Sequence, residues 1–192
     1  MKTINPSELS PMQVQMILQT AVAPRPIALA STIDKNGNVN LSPFSFFNLF
    51  SSNPPILIFS PARRVRDNST KDTLHNVLEV PEVVIGNVNF DIVQQVSLSS
   101  TEYETGVDEF IKSGLTKKSA ELVKPPLIAE SPVNFECKVI EVKPLGNEGG
   151  AGNLVICEVL KIHIREEFLN EEGNLDQKKL HLVSRLGGNW YG

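Results

Sequence analysis

A chain of 192 residues, 41% of them hydrophobic, has the size and composition of a single domain with a sizeable core. Its formal net charge of −4 argues against nucleic-acid binding, because the phosphate backbone is held mainly by basic surface. No apolar run approaches the ~20 residues of a membrane-spanning helix, and the first eleven residues lack the pattern of a secretory signal. We therefore expect one cytoplasmic domain over residues 1–192 with no membrane anchor.

The first predicted element is a helix that begins near Pro11. Ser10 and Gln13 have the spacing of a capping box, and proline is favoured in the first helical turn. Apolar residues then recur on one face, at Val14, Ile17, Leu18 and Ala21. The segment "APRP" should end this helix, since the residue before a proline is pushed out of the helical region.

Three strands are predicted next. The runs "IALASTI" and "NVNLSPFSFF" flank "DKNGN", and Asn36-Gly37 between apolar runs is the strongest short-range signal of a hairpin. The run "PPILIFSP" predicts a third strand that is buried on both faces.

Helices and one more strand follow. In "STKDTLHNVLEV", Ser69 and Asp72 have the spacing of a second capping box, and Pro81 stops the helix. The run "EVVIGNVN" predicts a fourth strand. The segments "FDIVQQVSLSS" and "GVDEFIKSG" predict a helical middle region.

The chain returns to strands in "VNFECKVIEVKPL" and "NLVICEVLKIHIREEFL", which the glycine-rich turn "GNEGGAGN" separates. In the first of them, alternation places Asn134, Glu136 and Lys138 on one side and, on the other, Phe135, Cys137, Val139 and Glu141. About six strands with helices inserted on one side predict an α+β protein built on a small antiparallel barrel.

Several familiar chemistries are disfavoured by the residue patterns. The glycines at 146, 149, 150 and 152 join two strands, whereas a dinucleotide fingerprint needs a strand followed by a helix. Cys137 and Cys157 lie in predicted strands, so we interpret them as small core residues. No metal-ligand spacing connects the three histidines, His75, His163 and His181.

One segment has the composition of an anion site. The run "ARRVRDNSTK" holds Arg63, Arg64, Arg66 and Lys71, and a helix beginning near Thr70 would add free backbone N–H groups and its positive dipole end. Lys71 and Thr73 would supply charge and a hydroxyl for a phosphate. A solvated basic loop explains the same residues equally well from charge pattern alone.

A second segment has the composition of a surface for a planar ligand. "NLSPFSFFN", residues 40–48, combines three phenylalanines with hydroxyl and amide groups. With the anion segment, it indicates a flat phosphorylated cofactor.

Together these blocks resemble a known family. "PRPIALASTIDKNGNVNLSPFSFFN", "SSNPPILIFSP", "KDTLHN", "GVDEFIKSGLT", "ESPVNFECKV" and "SRLGGNWY" are closely similar, in order and spacing, to the flavin reductase-like family of FMN-binding split-barrel proteins. The resemblance runs from about Pro24 to Tyr191. It implies a six-stranded antiparallel split barrel of Greek-key type with peripheral helices, a homodimer, and one FMN per subunit near the dimer interface.

The resemblance also implies which residues bind FMN. The isoalloxazine and ribityl chain would contact Ser45, Phe46, Phe47 and Asn48. The ribityl and phosphate end would contact Ser60, Lys71, Asp72 and Thr73. A tail that closes over the flavin, in its own or the partner subunit, would contribute Arg185, Trp190 and Tyr191.

Some of these assignments leave alternatives open. Phe46 and Phe47 could equally be plain barrel core, and Arg63 and Arg64 fall in a loop that varies within the family. No catalytic acid or base of the protein is required, because the cofactor would carry the chemistry.

The implied activity is that of an NAD(P)H-dependent flavin reductase in which NADH or NADPH passes hydride to the flavin N5. Two alternatives stay open. One is an electron-transfer protein of the flavoredoxin type, which carries FMN and is reduced by a partner protein. The other is a barrel that has lost flavin and serves as an interaction module.

Overall fold

The computed structural model describes residues 1–104 and 106–192. Within these residues the longer strands are β1 Ala28–Ile33, β2 Val39–Phe44, β3 Phe47–Ser52, β4 Pro55–Phe59, β5 Glu82–Asn87, β8 Val133–Pro144 and β9 Asn153–Ile164. Two-residue strands, β6 Lys117–Lys118 and β7 Leu127–Ile128, form a small separate sheet. The helices are α1 Pro11–Ala21, α2 Asp72–Glu79, α3 Val93–Ser99, α4 Glu109–Ser113 and α5 Gln177–Leu180.

The seven longer strands form one antiparallel sheet in the order β2-β1-β5-β8-β9-β4-β3. β2 and β3 are therefore the two edge strands, yet only Ser45 and Phe46 separate them in the chain. So short a connection can join the two edges only if the sheet curls until they meet. The result is a barrel with a seam between β2 and β3, and this seam positions the candidate site.

Two groups of apolar side chains lie on opposite faces of the sheet. Ala28 and Ala30 of β1 belong to a cluster that also contains both cysteines and residues of α2. The intervening Leu29 belongs to a second cluster that α3 and α4 cover. This alternation follows from the two-residue period of a strand and explains why β1 is buried on both faces.

Most of the elements predicted from the sequence are present. The hairpin signal is confirmed. β1 pairs with β2, with Ile33 opposite Val39 next to the turn, and Gly37 adopts a φ of +91° in the connecting loop. The capping box at Ser10 is also confirmed, with hydrogen bonds in both directions to Gln13. None of the residues of α1 is buried within this chain, however, so its predicted apolar face remains exposed.

Three local predictions are wrong. "NVNLSPFSFF" is split between β2 and β3, which raises the main sheet from six strands to seven. Ser69 does not cap α2, because its hydroxyl bonds to Asp67, and the helix begins at Asp72 with Lys71 as its N-cap. In β8, a register shift between Val139 and Glu141 leaves Glu141 exposed and packs Val142 against the core instead.

Candidate functional site: a cationic cleft at the barrel seam

The first cleft lies at the seam between β2 and β3 and has a volume of about 240 Å³. The seam supplies Ser45 and Phe46, and Phe46 is 39% exposed. Gln15 and Gln19 of α1 close one side. The end of β4 and the loop after it contribute Ser60, Arg63, Arg64 and Lys71.

The glycine-rich turn between β8 and β9 packs tightly against this cleft. A Cβ atom added to Gly152 would lie 2.6 Å from the Ser60 hydroxyl oxygen, so only glycine leaves Ser60 in its present position. The Ser60 N–H donates to the Phe46 carbonyl at 2.8 Å. Asn153 donates to the Pro61 carbonyl at 3.0 Å. The turn that the sequence indicated only as a connection therefore also packs against the segment that contributes Ser60 to the cleft.

The basic loop is ordered by its own hydrogen bonds. Arg63 donates through Nε to the Asn68 side chain at 2.7 Å, and Asn68 adopts a positive φ of 57°. Arg64 donates to the Ser69 hydroxyl at 3.0 Å and to the Thr70 carbonyl at 2.8 Å. Arg63 and Arg64 line the first cleft. The sequence left the role of this loop open, and the structure places these two cations at the candidate site.

The outer part of the loop is neutralised by a carboxylate. Glu102 accepts hydrogen bonds from Arg64 Nε and Arg66 Nη1, both at 3.0 Å. These arginines lower the pKa of Glu102 and keep it ionised. Arg66 does not line the first cleft and is 68% exposed, so it belongs to the solvated surface.

Lys71 lies where three clefts meet. It lines the first cleft, a second of about 300 Å³ and a third of about 50 Å³. Its Nζ is 5.1 Å from the centroid of the Phe44 ring. Burial lowers the pKa of Lys71, the nearby Arg64 lowers it further, and Glu102 opposes the shift. A cation held in this way gains from an anionic partner.

The start of α2 adjoins the same point. Among the described residues no side chain caps this helix; the Leu74 N–H donates to the Lys71 carbonyl, which leaves the Asp72 and Thr73 N–H groups without a capping partner. Thr73 is fully buried, and its hydroxyl accepts from Asn40 Nδ2 at 2.9 Å. Asp72 and Thr73 line the third cleft together with Lys71, several hydroxyl groups and the carboxylates of Glu102 and Glu109.

The second cleft lies between the seam and the C-terminal tail. Its wall includes Ser45, Lys71, Arg185 and Tyr191. Arg185 is held over the Tyr191 ring, with its guanidinium carbon 4.6 Å from the ring centroid. The tail is fixed by a short antiparallel bridge between Arg25 and Arg185, whose backbones exchange hydrogen bonds of 3.0 and 2.8 Å.

The predicted site residues separate into two groups. Those at the clefts are Ser45, Phe46, Ser60, Lys71, Asp72, Thr73, Arg185 and Tyr191. Three others do not line these clefts. Phe47 packs against the barrel core, Asn48 is exposed on β3 and accepts from the Leu49 N–H, and Trp190 is 75% exposed. A binding role for these three stays a prediction.

Several residues at or beside the clefts were not predicted from the sequence. Gln15 and Gln19 lie one turn apart on α1 and carry no motif that distinguishes them from other polar helix residues. Arg25 is 7% exposed and donates to the Leu186 carbonyl at 3.0 Å and to Ser45 Oγ at 3.4 Å. Its position between two prolines marks a rigid segment, but nothing in the sequence locates its partners.

Residues 1–104 and 106–192 lack both a metal cluster and a membrane-spanning helix. No group of three or more histidine, cysteine or acidic side chains could hold a metal ion there. No helix in the same ranges is long and apolar enough to cross a membrane.

Comparison with known proteins shows to which proteins this chain is similar. The model of the flavin reductase like domain family matches residues 21–181. Nitrilotriacetate monooxygenase component B from Bacillus cereus is 28% identical, with a TM-score of 0.93 over 100% of this chain and 95% of that one. The 2-nitrobenzoate 2-nitroreductase NbaA from Pseudomonas fluorescens is 26% identical. Its TM-score is 0.88, and the match covers 100% of this chain and 91% of that one.

A third solved structure bears on the fold alone. It is a flavin reductase-type protein with a split barrel domain from Shewanella frigidimarina, 23% identical, with a TM-score of 0.84 over 100% of this chain and 94% of that one. This likeness confirms the predicted α+β split barrel, with the strand number corrected as above.

Proposed function

The chain belongs to the flavin reductase-like domain family, and from this membership we propose that it binds FMN and uses it to oxidise NADH or NADPH. The observation that carries the proposal is the position of Lys71, a partly buried cation at the junction of three clefts. The names of the two solved structures above 25% identity, a monooxygenase component and a nitroreductase, support oxidoreductase chemistry.

The donors at the clefts fit the phosphate end of FMN. Arg63, Arg64 and Lys71 supply three cationic groups, of which Arg64 is also paired with Glu102, and the start of α2 supplies backbone N–H groups. Charge-assisted hydrogen bonds to a phosphate are about twice as strong as neutral ones. The third cleft adds Asp72 and Thr73, which we assign to the ribityl hydroxyls and the phosphate.

The seam fits the ring end. Phe46 offers a partly exposed aromatic face, and Ser45 and Ser60 offer hydroxyl groups on the same cleft. Gly152 packs so closely against Ser60 that no larger residue fits at position 152 unless Ser60 moves. We assign the C-terminal tail to the open side of the ring, where Arg185 and Tyr191 would lie nearest to it. Trp190 would reach the ring only if the tail moves or if a partner subunit supplies it.

Bound FMN would supply the two-electron chemistry, accepting hydride from a reduced nicotinamide and passing electrons to an acceptor. The residues of this chain bind and orient it. Lys71, Arg63 and Arg64 would hold the phosphate, and Ser45 and Phe46 at the seam would contact the ring. The two cysteines are unsuited to thiol chemistry, because burial raises the pKa of Cys137 to about 12 and raises that of Cys157 as well.

We also propose that the protein is a homodimer. Leu49 and Phe50 of the edge strand β3 are 60% and 63% exposed, and Met16 and Leu18 of α1 are 61% and 54% exposed. Large exposed apolar side chains on an edge strand or on an uncovered helix are typical of an interface. A second copy would cover them and close the clefts from outside.

FMN titration of the purified protein, followed by a nicotinamide oxidation assay, tests this function. We expect one FMN per chain, and oxidation of NADH or NADPH that depends on it. Stoichiometric FMN without nicotinamide oxidation would favour an electron carrier reduced by a partner protein. Failure to bind FMN would leave the barrel as an interaction module and contradict the proposal.

A further inference from the structure

Arg25 is a buried arginine whose hydrogen bonds go to neutral groups. Among residues 1–104 and 106–192, no aspartate or glutamate forms an ion pair with it. Burial lowers the pKa of Arg25, and the charge of Arg185 lowers it further. Burying a cation without a counter-ion is costly unless hydrogen bonds compensate. Arg25 and the groups that accept from it therefore hold one another in place.

The partners of Arg25 lie on three separate segments of the chain. Its Nη1 donates to the carbonyls of Gln19 and Val22 at the C-terminal end of α1. Its Nη2 donates to the Leu186 carbonyl in the C-terminal tail at 3.0 Å, and its Nε donates to Ser45 Oγ at the seam at 3.4 Å. One guanidinium group therefore joins α1, the seam and the tail.

The same three segments form part of the wall of the second cleft. Gln19 comes from α1, Ser45 from the seam, and Arg185 and Tyr191 from the tail. Arg25 does not line this cleft. It contacts Gln19 and Ser45 from behind and reaches the tail at the residue next to Arg185. A change at Arg25 would therefore move the wall without removing a group that touches a ligand.

The helix α1 needs an anchor of this kind. None of its residues is buried, and its last turn contains no basic side chain. Arg25 supplies the cation that the carbonyl end of a helix favours. The helix also touches the tail directly, because a Cβ atom added to Gly187 would lie 2.5 Å from Thr20 Oγ1. Arg25 and this close contact are thus two links between α1 and the tail.

The tail itself is a small hairpin, residues 184–192, that docks beside Arg25. Arg185 forms antiparallel bridges with both Tyr191 and Arg25. The Leu186 N–H donates to the Trp190 carbonyl at 3.0 Å, and the Leu186 carbonyl accepts from Arg25. Trp190 is the one tryptophan in the sequence. Its fluorescence therefore reports on the order of this hairpin without any bound ligand.

We propose that Arg25 is a positioning residue of the candidate site, whose planar guanidinium group holds α1 and the tail hairpin in place around the seam. Gln19 and Ser45 line both the first and the second cleft, so displacement of these segments would loosen both. Arginine is required because it presents several donors in one rigid fork, whereas the lysine ammonium is a single point charge. The inference rests on the proposed function for its effect on FMN, but not for the order of the tail.

Fluorescence anisotropy of Trp190 in the flavin-free, full-length protein, combined with FMN titration, tests the proposal. Arg25→Gln should lower the anisotropy while the far-UV circular dichroism stays unchanged, and it should raise the dissociation constant for FMN about 3–10-fold. Arg25→Lys should show both effects, because it keeps the charge without the fork. Arg165→Gln alters an exposed arginine that donates to the Glu130 carbonyl away from the clefts, so this matched control should change neither readout.

Several results would overturn the assignment. Wild-type anisotropy in Arg25→Gln would show that the tail is held without this side chain, and wild-type behaviour of Arg25→Lys would show that charge alone is enough. An equal fall in Arg165→Gln would indicate general loosening of the fold. If Arg25→Gln does not fold, Arg25→Lys, which keeps the buried charge, decides the question.

The two readouts also separate this inference from the proposed function. Lower anisotropy with unchanged FMN affinity would contradict the role of Arg25 in the cofactor site. Wild-type protein that fails to bind FMN would contradict the proposed function. In that case the fall in Trp190 anisotropy in Arg25→Gln would still support the part of Arg25 in fixing α1 and the tail.

Discussion

The ammonium group of Lys71 lies 5.1 Å from the centroid of the Phe44 ring, at the junction of the three clefts. The aromatic face holds the charge without neutralising it, which leaves the ammonium available to a ligand. This relationship connects the "NLSPFSFFN" and "KDT" segments, which are 23 residues or more apart in the chain, in one site.

Replacing Lys71 by alanine should weaken FMN binding. Loss of one charge-assisted contact to the phosphate predicts a dissociation constant about 10–100-fold higher, measured by fluorescence titration. Thr73→Ala should weaken binding as well, because loss of the buried hydrogen bond between Asn40 and the Thr73 hydroxyl would disturb the start of α2. The matched control is Lys178→Ala, which changes an exposed lysine on α5. Affinity unchanged in both site variants would remove this segment from the phosphate site.

FMN affinity should also fall at alkaline pH. The fall should begin at a lower pH than it would with a lysine of ordinary pKa. The pKa of Lys71 is lowered by burial and by Arg64, so its charge is present at neutral pH and is lost as the pH rises through that lowered value. Titrations across the alkaline range should show this loss in wild-type protein. Lys71→Arg should bind FMN with little change over the same range, because arginine stays protonated. An identical pH profile for both proteins would contradict this role of Lys71.

Gly152→Ala should disturb the site through Ser60. The new methyl group would lie 2.6 Å from the Ser60 hydroxyl oxygen, so the serine must move, and we expect weaker FMN binding and a lower melting temperature. Gly146→Ala is the matched control, because its Cβ would approach only Ala151, at 3.3 Å. The double variant Ser60→Ala/Gly152→Ala removes the clash and should regain melting temperature. If it does not, the effect of Gly152→Ala has another origin.

Glu136→Gln should destabilise the fold. Glu136 is fully buried on β8 and accepts backbone hydrogen bonds from Glu121, Leu122 and Val123 at 2.6–3.0 Å, and its Oε1 lies 2.6 Å from His163 Nε2. Removing the charge from such a cluster costs roughly 3 kcal/mol. Urea denaturation should show this loss, whereas Glu141→Gln, at an exposed position on the same strand, should be nearly neutral.

The same substitution should alter the acid sensitivity of stability. Burial alone would raise the pKa of Glu136, but the backbone hydrogen bonds and His163 together lower it below the ordinary value. The stabilisation is therefore present above the pKa of the unfolded chain, about 4.3, and is lost as the pH falls through the lower folded value. The stability difference between wild type and Glu136→Gln should shrink over that acidic range. A constant difference would show that Glu136 is not ionised in the fold.

Local signals in the sequence located most elements of this fold correctly. The Asn36-Gly37 hairpin, the Ser10 capping box and the strand pattern of β8 and β9 depend on neighbouring residues, so they can be read without knowledge of the tertiary structure. The start of α2 could not, because Ser69 bonds to Asp67 and Arg64 in place of the helix it was predicted to cap.

Only part of the site was predicted, because its other residues also depend on tertiary contacts. The resemblance to a known family indicated Ser45, Ser60 and Lys71, and the structure places these residues on one cleft. The break between β2 and β3 has no turn signal of its own, since it results from closure of the barrel. Arg25, and the close approach of Gly152 to Ser60, depend on contacts between distant segments that no sequence pattern records.

An anaerobic visible absorbance scan of the FMN-loaded protein, before and after addition of NADH or NADPH, tests the proposed function most directly. The account predicts that at least one of the two donors rapidly bleaches the flavin band. A protein that binds FMN and keeps its full flavin absorbance with both donors would contradict the assignment as a nicotinamide-dependent reductase.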